Sequence, residues 1–287
     1  MKRTISVLLA VMTVICLAFT ATSCGSKGYD LEKETELVMV TNAAFPPYES
    51  KDGDTFVGID VDIAKEIASR LGKTLRIEDV DFNSIITGIE TGKYDMALAG
   101  MTVTEERKQS VAFSDSYATG IQVMIVKSDS AYQSIDDFFN YDEEGNPVSL
   151  KNPDIKIGVQ QTTTGDIYSS ADVTGWGFND LNEDESVKTD RVTRYPTGAD
   201  AVEALKTGKV DVVIIDNEPA KSFVDTNKDG SGNSVIRILE TEYTNEDYAI
   251  AVNKNSTELL AKINEILAEM KSDGTLDSII AKYIKAE

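Results

Sequence analysis

The sequence contains no histidine and only two cysteines among its 287 residues. Without histidine the chain lacks the side chain that most often acts as a general acid or base near neutral pH. Metal sites built from cysteine and histidine are also impossible. An acidic residue could still catalyse a reaction, but these absences favour a protein that is not an enzyme. We therefore predict no catalytic residue, no bound metal and no cofactor.

Basic residues are scarce as well. The chain has 28 Lys and Arg against 49 Asp and Glu, which gives a formal net charge of −21. A surface of this sign repels both nucleic acid and anionic lipid, so neither is expected to bind it electrostatically.

The first 23 residues have the features of a cleaved export signal. Two basic residues precede an apolar stretch at 5–19, and small residues at 21–23 lead to Cys24. This junction resembles the lipobox of bacterial lipoproteins, which implies that Cys24 is lipidated; an ordinary secretory signal is the alternative. Cys24 is then the only thiol of the exported chain, so no internal disulfide is expected. Residues 24–33 are small, polar and charged, as in a tether.

Two passages of the remaining chain alternate short apolar strands with amphipathic helices, which predicts an α/β fold with parallel sheets. They run from 37 to 101 and from 155 to 216. TGKYD before a strand of the first passage has an echo in TGKVD before a strand of the second. We interpret the passages as two lobes of similar build. Residues 140–154 are predicted to be a polar loop, 169–194 an acidic surface insertion, and 248–252 one strand.

The run from Gly92 to Lys108, GKYDMALAGMTVTEERK, contains an arginine in an unusual place. Thr104 is a good N-cap residue, so Arg107 falls in the first turn of a helix, where the helix dipole disfavours a cation. We interpret Arg107 as kept for an anion. Ligands of α/β sheets bind beyond the carboxyl ends of the strands, which places Asp216 of the second lobe opposite Arg107. An arginine and an aspartate facing one cleft suit a zwitterion.

From about Leu37 to Tyr283 the chain resembles the extracellular solute-binding proteins of family 3, the polar amino acid receptors of ABC importers. The resemblance rests on FPPYE (45–49), GIDVDIAKEIA (58–68), DF (81–82), ALAGMTVTEERK (97–108), FSDSY (113–117) and DGTLDSI (273–279). It implies a periplasmic-binding-protein-like fold of type II, with two α/β lobes joined by two crossing strands. Lobe 1 would comprise residues 34–125 and 246–287, and lobe 2 residues 126–245.

The resemblance also implies a ligand site. The α-carboxylate of the ligand would be held by Arg107, by Gly100 and Thr102 beside Ala99, and by Thr163 or Thr164. Asp216 would bind the α-amino group, Phe45 and Phe82 would flank the ligand, and Asn42 and Gln160 would face its side chain. Where the family loop often has glycine, this chain has Thr162, which leaves open which threonine makes the contact.

The implied function is capture of an L-amino acid and its delivery to the membrane permease of an ABC importer. The protein would be a monomer held at the outer face of the membrane by the lipid on Cys24. Asn42 and Gln160 carry no charge, which favours a neutral polar ligand. The alternatives are a dehydratase of small carboxylic acids on the same fold, and an amino acid sensor that works with a separate partner protein.

Overall fold

The computed structural model describes residues 28–239 and 244–284 of the chain. The predicted signal segment and Cys24 therefore lie outside the described residues. Within these two ranges no helix has both the length and the apolar character needed to cross a bilayer. The same ranges contain no group of three acidic side chains placed to hold a metal ion.

Short strands and helices alternate along the described chain. The elements before the chain first crosses between its two sheets are β1 (Glu36–Thr41), β2 (Ser50–Asp52), β3 (Thr55–Val57), α1 (Ile59–Arg70), β4 (Thr74–Asp79), α2 (Ile85–Glu90), β5 (Met96–Ala97), α3 (Glu105–Lys108) and β6 (Val111–Phe113). The middle elements are β7 (Ala118–Lys127), β8 (Phe139–Tyr141), β9 (Pro147–Leu150), β10 (Ile157–Gln160), α4 (Thr164–Ser169), β11 (Asp180–Leu181), β12 (Val187–Thr189), β13 (Val192–Tyr195), α5 (Gly198–Lys206), β14 (Val212–Asp216), α6 (Asn217–Thr226), β15 (Ile236–Ile238) and β16 (Thr244–Tyr248). The last elements are β17 (Ala251–Asn253), α7 (Thr257–Ser272) and α8 (Thr275–Tyr283).

The larger strands form two sheets, which with their helices make lobe 1 and lobe 2. The sheet of lobe 1 has the order β4-β1-β5-β17-β6, with β1 parallel to both neighbours and β17 antiparallel to both of its own. The sheet of lobe 2 has the order β13-β10-β14-β7-β15, with β10 parallel to β13 and β14. Each lobe is thus a parallel β-α-β-α-β unit extended by antiparallel strands, as the sequence predicts.

The chain crosses between the lobes twice, through β7 and β16. These strands pair antiparallel, with Ala118 opposite Tyr248 and Gln122 opposite Thr244. β7 follows β6 of the lobe 1 sheet, and β16 leads into β17 of the same sheet. The two crossing strands expected of the fold are therefore present, and the predicted lobe limits at 125 and 246 fall inside them.

The sequence echo corresponds to one turn used in both lobes. Gly92 and Gly208 end the helices α2 and α5 with φ of 72° and 73°, the left-handed region that glycine enters at least cost. Asp95 then accepts a hydrogen bond from a backbone N–H of β1 (2.7 Å), and Asp211 accepts one from the N–H just before β10 (2.9 Å). The repeated residues thus tie the third strand of each unit to the first.

Burial of apolar side chains holds each sheet to its helices. β1 and β14 are buried along almost their whole length, and α1 and α7 each turn an apolar face inward. Full burial of one such side chain stabilises the fold by about 1.5–3 kcal/mol. The ends of the strands, where polar residues follow the apolar runs, are therefore held rigidly.

Two predictions of local structure are wrong. Residues 140–154 were expected to be a loop, but they contain most of the hairpin β8–β9. Its strands have three and four residues, too few to give a clear alternation. The predicted strand at 248–252 is divided, because β16 pairs with β7 and β17 pairs with β5 and β6. The acidic insertion at 169–194 contains a second hairpin, β11–β12.

Candidate functional site

A cavity between the lobes is lined by all eleven residues predicted to bind a ligand. They lie at or just beyond the carboxyl ends of strands in both sheets, where α/β sheets form a crevice. Lobe 1 contributes Asn42, Phe45, Glu49, Phe82, Ala99, Gly100, Thr102 and Arg107. Lobe 2 contributes Gln160, Thr163, Thr164 and Asp216. Glu49 is the one lining residue that was not predicted, and the ligand contacts themselves stay predictions.

The lobes are closed on one another around this cavity. Gln160 donates a hydrogen bond across the cleft to the side-chain oxygen of Asn42 (2.9 Å). The free space is about 20 Å³, roughly the room that one water molecule needs. An amino acid therefore requires the lobes to separate or the cleft side chains to move. A wider cavity of about 450 Å³ adjoins this one, and Phe82 and Arg107 line both.

Arg107 points from the short helix α3 into the cleft. The hydroxyl of Thr104 caps this helix by accepting a bond from the Arg107 backbone N–H (3.1 Å), as the sequence predicts. The guanidinium donates to the carbonyl of Thr102 (2.7 Å) and, across the cleft, to the carbonyl of Thr162 (3.1 Å). It also lies 5.4 Å from the centre of the Phe82 ring. Since guanidinium has five N–H donors, several remain for an anion.

The hydroxyl groups of Thr163 and Thr164 in lobe 2 have different neighbours. The hydroxyl of Thr163 donates to the carbonyl of Gln160 (2.9 Å) and caps the helix α4, so its proton stays within the lobe. The hydroxyl of Thr164 is buried and lies 3.5 Å from the hydroxyl of Thr102 in lobe 1. Both side chains line the cavity, and which of the two contacts a ligand stays a prediction.

Thr162 adopts the backbone conformation that glycine would have supplied. Its φ is 61°, in the left-handed region, where a β-branched residue is a genuine outlier. The backbone explains why this conformation is kept, because the N–H of Thr162 donates to Asp166 (2.9 Å) and its carbonyl accepts from Arg107. Thr162 thus adopts the left-handed conformation at a cost of about 1–2 kcal/mol.

Replacing Thr162 by glycine is expected to stabilise the protein. Relief of the left-handed strain exceeds the extra flexibility of the unfolded chain, which leaves a net gain of roughly 0.5–1 kcal/mol in the free energy of unfolding. Chemical denaturation measures this. The matched control is Thr163→Gly, which should destabilise by about 1 kcal/mol because Thr163 has a negative φ, where glycine mainly adds flexibility to the unfolded chain, and because the side chain that caps α4 is lost. Destabilisation by Thr162→Gly would mean that the threonine side chain offsets the strain.

Two buried acids beside the cleft were missed from the sequence. Glu49 is 1% exposed, and neither of its carboxylate oxygens receives a hydrogen bond from the residues the structure describes. Asp60 accepts bonds from the Gly100 N–H (2.8 Å) and the Tyr117 hydroxyl (2.9 Å). Burial, the charge of Asp60 and a hydrogen bond from the carboxyl group of Glu49 to that of Asp60 hold the pKa of Glu49 well above its usual range. Burial also raises the pKa of Asp60, to about 6.

The signals for these two residues were present but weak. Glu49 closes the motif FPPYE and Asp60 lies within GIDVDIAKEIA. A carboxylate after a turn or at a helix start is usually solvated or capping, and only the folded structure places both next to the cleft. The side chains approach because the start of α1 is bonded to the turn before Glu49, with the N–H groups of Ile59 and Asp60 donating to the carbonyls of Pro47 and Tyr48 (3.1 and 3.0 Å).

Asp216 ends β14 and accepts a hydrogen bond from the hydroxyl of Tyr248 on the crossing strand β16. Burial, and then the charge of Glu246, raise the pKa of Asp216 to about 7, while the bond from Tyr248 opposes this. Arg107 and Asp216 therefore face one cavity as predicted. Asp216 is also the acid of this cavity whose charge changes near neutral pH.

The free energy of unfolding is expected to fall as the pH rises from 5 to 8. Asp60 and Asp216 keep their protons up to about pH 6 and 7 in the folded protein, against an ordinary value of 3.8. Because the folded state binds more protons than the unfolded state in this range, raising the pH through these values destabilises it. Chemical denaturation at pH 5 and 8 measures the difference. Asp216→Asn should reduce it, and an unchanged difference in that variant contradicts the assignment.

Two lobes, two crossing strands and a polar cleft define a two-lobed solute-binding protein. The description "bacterial extracellular solute-binding proteins, family 3" matches residues 37–286, and the chain belongs to this family.

Several relatives align with most of the chain. The arginine-binding extracellular protein ArtP of Bacillus subtilis (strain 168) is 32% identical over 280 residues, which cover 97% of this chain and 98% of ArtP. The glutamine-binding protein GlnH of an ABC transporter in the same organism is 30% identical, with 100% and 99% of the two chains covered.

Solved structures agree with the fold. An ancestral arginine-binding protein bound to arginine is 35% identical, with a TM-score of 0.71 over 88% of this chain and 99% of the other. The ancestral amino acid-binding protein AncCDT-1, described as a precursor of cyclohexadienyl dehydratase, is 28% identical, with a TM-score of 0.71 over 88% and 96% of the two chains.

Proposed function

We propose that this protein captures a cationic L-amino acid of the arginine and lysine class and delivers it to the permease of an ABC importer. The choice of a cationic ligand rests on the position of Glu49. It lines the same cavity as Arg107 and Asp216, is almost fully buried, and has no donor among the described residues. A buried carboxylate needs either a proton or a cation. The guanidinium or ammonium of a ligand side chain supplies the cation.

The two charged groups on the α-carbon of the ligand would bind Arg107 and Asp216. Its α-carboxylate binds the free N–H groups of Arg107, and its α-ammonium binds Asp216 in the other lobe. Closure then removes water from both pairs, so each charge-assisted bond contributes about 1.5–3 kcal/mol. Because one half of the amino acid is held by each lobe, the ligand stabilises the closed arrangement, which is what a permease can recognise.

A neutral ligand such as glutamine is the second candidate. If Glu49 keeps its proton when the ligand binds, the side-chain end of the cavity is uncharged. The amides of Asn42 and Gln160 can then pair with a ligand amide in place of each other. The relatives support both readings, since ArtP is named for arginine and GlnH for glutamine. We favour the cation because a cationic side chain next to Glu49 stabilises its ionised form and then pairs with it.

Thermal shift at pH 8 separates these ligands. The purified protein is first unfolded and refolded to remove any bound molecule, and is then heated with L-arginine, L-lysine, L-glutamine or L-glutamate. At 100 times Kd a ligand adds about 2.7 kcal/mol, so arginine or lysine should raise Tm by several degrees and glutamate should not. A shift with glutamine alone supports the neutral candidate. No shift with any of them contradicts amino acid capture.

The protein is also proposed to release its ligand unchanged. The named relatives are binding proteins, and AncCDT-1 is itself described as amino acid-binding. The buried acids of the cleft are the groups through which the dehydratase alternative would act. Mass spectrometry of L-arginine after prolonged incubation with the protein distinguishes the two, because turnover changes the ligand mass. A sensor role predicts binding without uptake in cells.

The proposal also includes export of the protein and its attachment to the membrane through the N-terminus. Residues 1–23 would be removed and Cys24 lipidated, with residues 24–33 as the tether and a single copy of the protein at the outer face of the membrane. Cys24→Ala should then move the protein from the membrane fraction to the soluble fraction. An unchanged distribution would contradict lipid anchoring.

A further inference from the structure

Glu246, on the crossing strand β16, joins the two lobes by bonding to one cavity-lining residue of each, Thr102 and Thr164. It is 5% exposed. One of its carboxylate oxygens accepts hydrogen bonds from the hydroxyl of Thr102 in lobe 1 (2.7 Å) and from the hydroxyl of Thr164 in lobe 2 (2.9 Å). The side-chain amide of Gln122 on β7 is a third donor to the same oxygen (3.3 Å). A single carboxylate thus gathers donors from both lobes and from the other crossing strand.

The hydroxyl groups of Thr102 and Thr164 both donate their protons to Glu246. A hydroxyl has one proton to donate, and both threonines donate it to the same oxygen. While these bonds exist, neither hydroxyl can donate to the carboxylate of a ligand. Thr102 and Thr164 can offer only lone pairs, which a carboxylate does not bind. Family resemblance assigns Thr102 to the α-carboxylate and makes Thr164 one of two lobe 2 candidates; both are therefore engaged by another carboxylate.

The charge of Glu246 also acts on Arg107. Burial lowers the pKa of Arg107, and among the acids that oppose this effect Glu246 is the strongest, ahead of Asp216. Glu246 therefore balances the guanidinium charge in the closed cleft. Arg107, Thr102 and Thr164 all interact with one internal carboxylate.

We propose that Glu246 is a built-in competitor of the ligand's α-carboxylate and thereby sets the affinity of the site. This inference rests on the proposed function. In the closed cleft the carboxylate of Glu246 accepts the hydroxyl protons that the carboxylate of the amino acid would otherwise accept. Binding requires the threonine hydroxyls to turn from Glu246 to the ligand, and it brings two carboxylates near each other. Both effects weaken binding of any ligand with a free α-carboxylate.

The competitor role predicts a dependence on the ligand's carboxylate that a structural role does not. Argininamide keeps the side chain and the α-ammonium of arginine but has a neutral amide in place of the carboxylate. Its amide N–H groups can even donate to Glu246. The ratio of the affinities for L-arginine and L-argininamide therefore reports the competition alone, because effects on folding or on the cationic side chain change both affinities together.

The test compares Glu246→Gln with the native protein and with Asp247→Asn. Asp247 is the exposed neighbour on the same strand, so its variant removes the same charge outside the cleft. Titration calorimetry gives the affinity for L-arginine, and displacement of L-arginine gives that for L-argininamide. Glu246→Gln should raise the ratio about tenfold, because a neutral amide accepts weaker bonds from hydroxyls than a carboxylate does. Asp247→Asn should change it less than twofold.

Each result decides one question. An unchanged or lower ratio in Glu246→Gln, or an equal rise in Asp247→Asn, overturns the competitor role. If the Gln variant does not fold, Glu246→Asp replaces it, since the shorter side chain cannot reach both hydroxyls and should raise the ratio in the same direction. A native protein that binds neither L-arginine nor L-lysine contradicts the proposed function instead, and is recognised before any variant is made.

Discussion

Replacing Arg107 by alanine is expected to weaken binding of L-arginine by roughly a hundred- to a thousandfold while the protein stays folded. Removal of one partner from a buried, hydrogen-bonded charge pair costs about 2–5 kcal/mol, and 1.4 kcal/mol corresponds to a factor of ten. Without the guanidinium, the carboxylate of the ligand would enter a cavity lined by Glu49 and Asp216, with Glu246 bonded to the lining residues Thr102 and Thr164. Titration calorimetry measures the affinity.

The fold should tolerate this change because Arg107 lies at the cleft and outside the apolar clusters of both lobes. The variant leaves two backbone carbonyls, those of Thr102 and Thr162, without their donor, and water can reach both when the lobes open. Lys108→Ala, an exposed change on the same helix, is the matched control. Affinity in Arg107→Ala within tenfold of the native value contradicts the carboxylate assignment.

Replacing Glu49 by glutamine is expected to reverse the preference between arginine and glutamine. Binding of L-arginine should weaken about a hundredfold at pH 8, because the side-chain cation loses the cavity carboxylate that the proposed function assigns to it. Binding of L-glutamine should change by less than threefold, since a neutral ligand makes no ion pair there. Titration calorimetry with both ligands measures the two changes.

The shape of the side chain is preserved in Glu49→Gln, so the change tests charge rather than packing. Asp52→Asn in the nearby exposed strand β2 removes the same charge from the surface and should leave both affinities unchanged. Equal weakening of arginine and glutamine would mean that Glu49 supports the structure of the cleft and does not select the ligand.

The parts of the site that sequence predicts well are those fixed by local patterns at strand ends. Arg107 was assigned from its place after Thr104 and from the dipole of one helix turn, and both features are present. Asp216 followed from the echo of 91–95 in 207–211, which the two lobes reproduce as one turn. Asn42 and Gln160 were expected to face the cleft, and they bond to each other across it. Their contacts with a ligand stay predictions.

The parts that sequence misses depend on contacts between distant residues. Glu246 is 144 residues from Thr102 and 82 from Thr164. No sequence pattern in β16 predicts either hydrogen bond. Its side chain enters the cleft only because β16 crosses between the lobes, a break that the uniform apolar run at 248–252 conceals. Glu49 was missed for a similar reason, since nothing in FPPYE indicates that its last residue is buried beside Asp60; the preference for a neutral ligand stays a prediction.

Thr162 illustrates a third limit. The replacement of glycine by threonine suggested a changed loop, whereas the loop keeps its left-handed residue and its bond to Arg107. Backbone hydrogen bonds to Asp166 and Arg107 hold the conformation that the side chain disfavours. A residue's own preference of 1–2 kcal/mol is too small to decide a conformation that two such bonds fix.

Titration calorimetry of the refolded native protein with L-arginine and L-glutamine at pH 8 tests capture of a cationic amino acid most directly. We expect one site per chain, a micromolar or lower Kd for L-arginine, and binding of L-glutamine that is at least tenfold weaker. Equal or tighter binding of L-glutamine, or no heat with L-arginine and L-lysine, would contradict a cationic ligand held by Glu49.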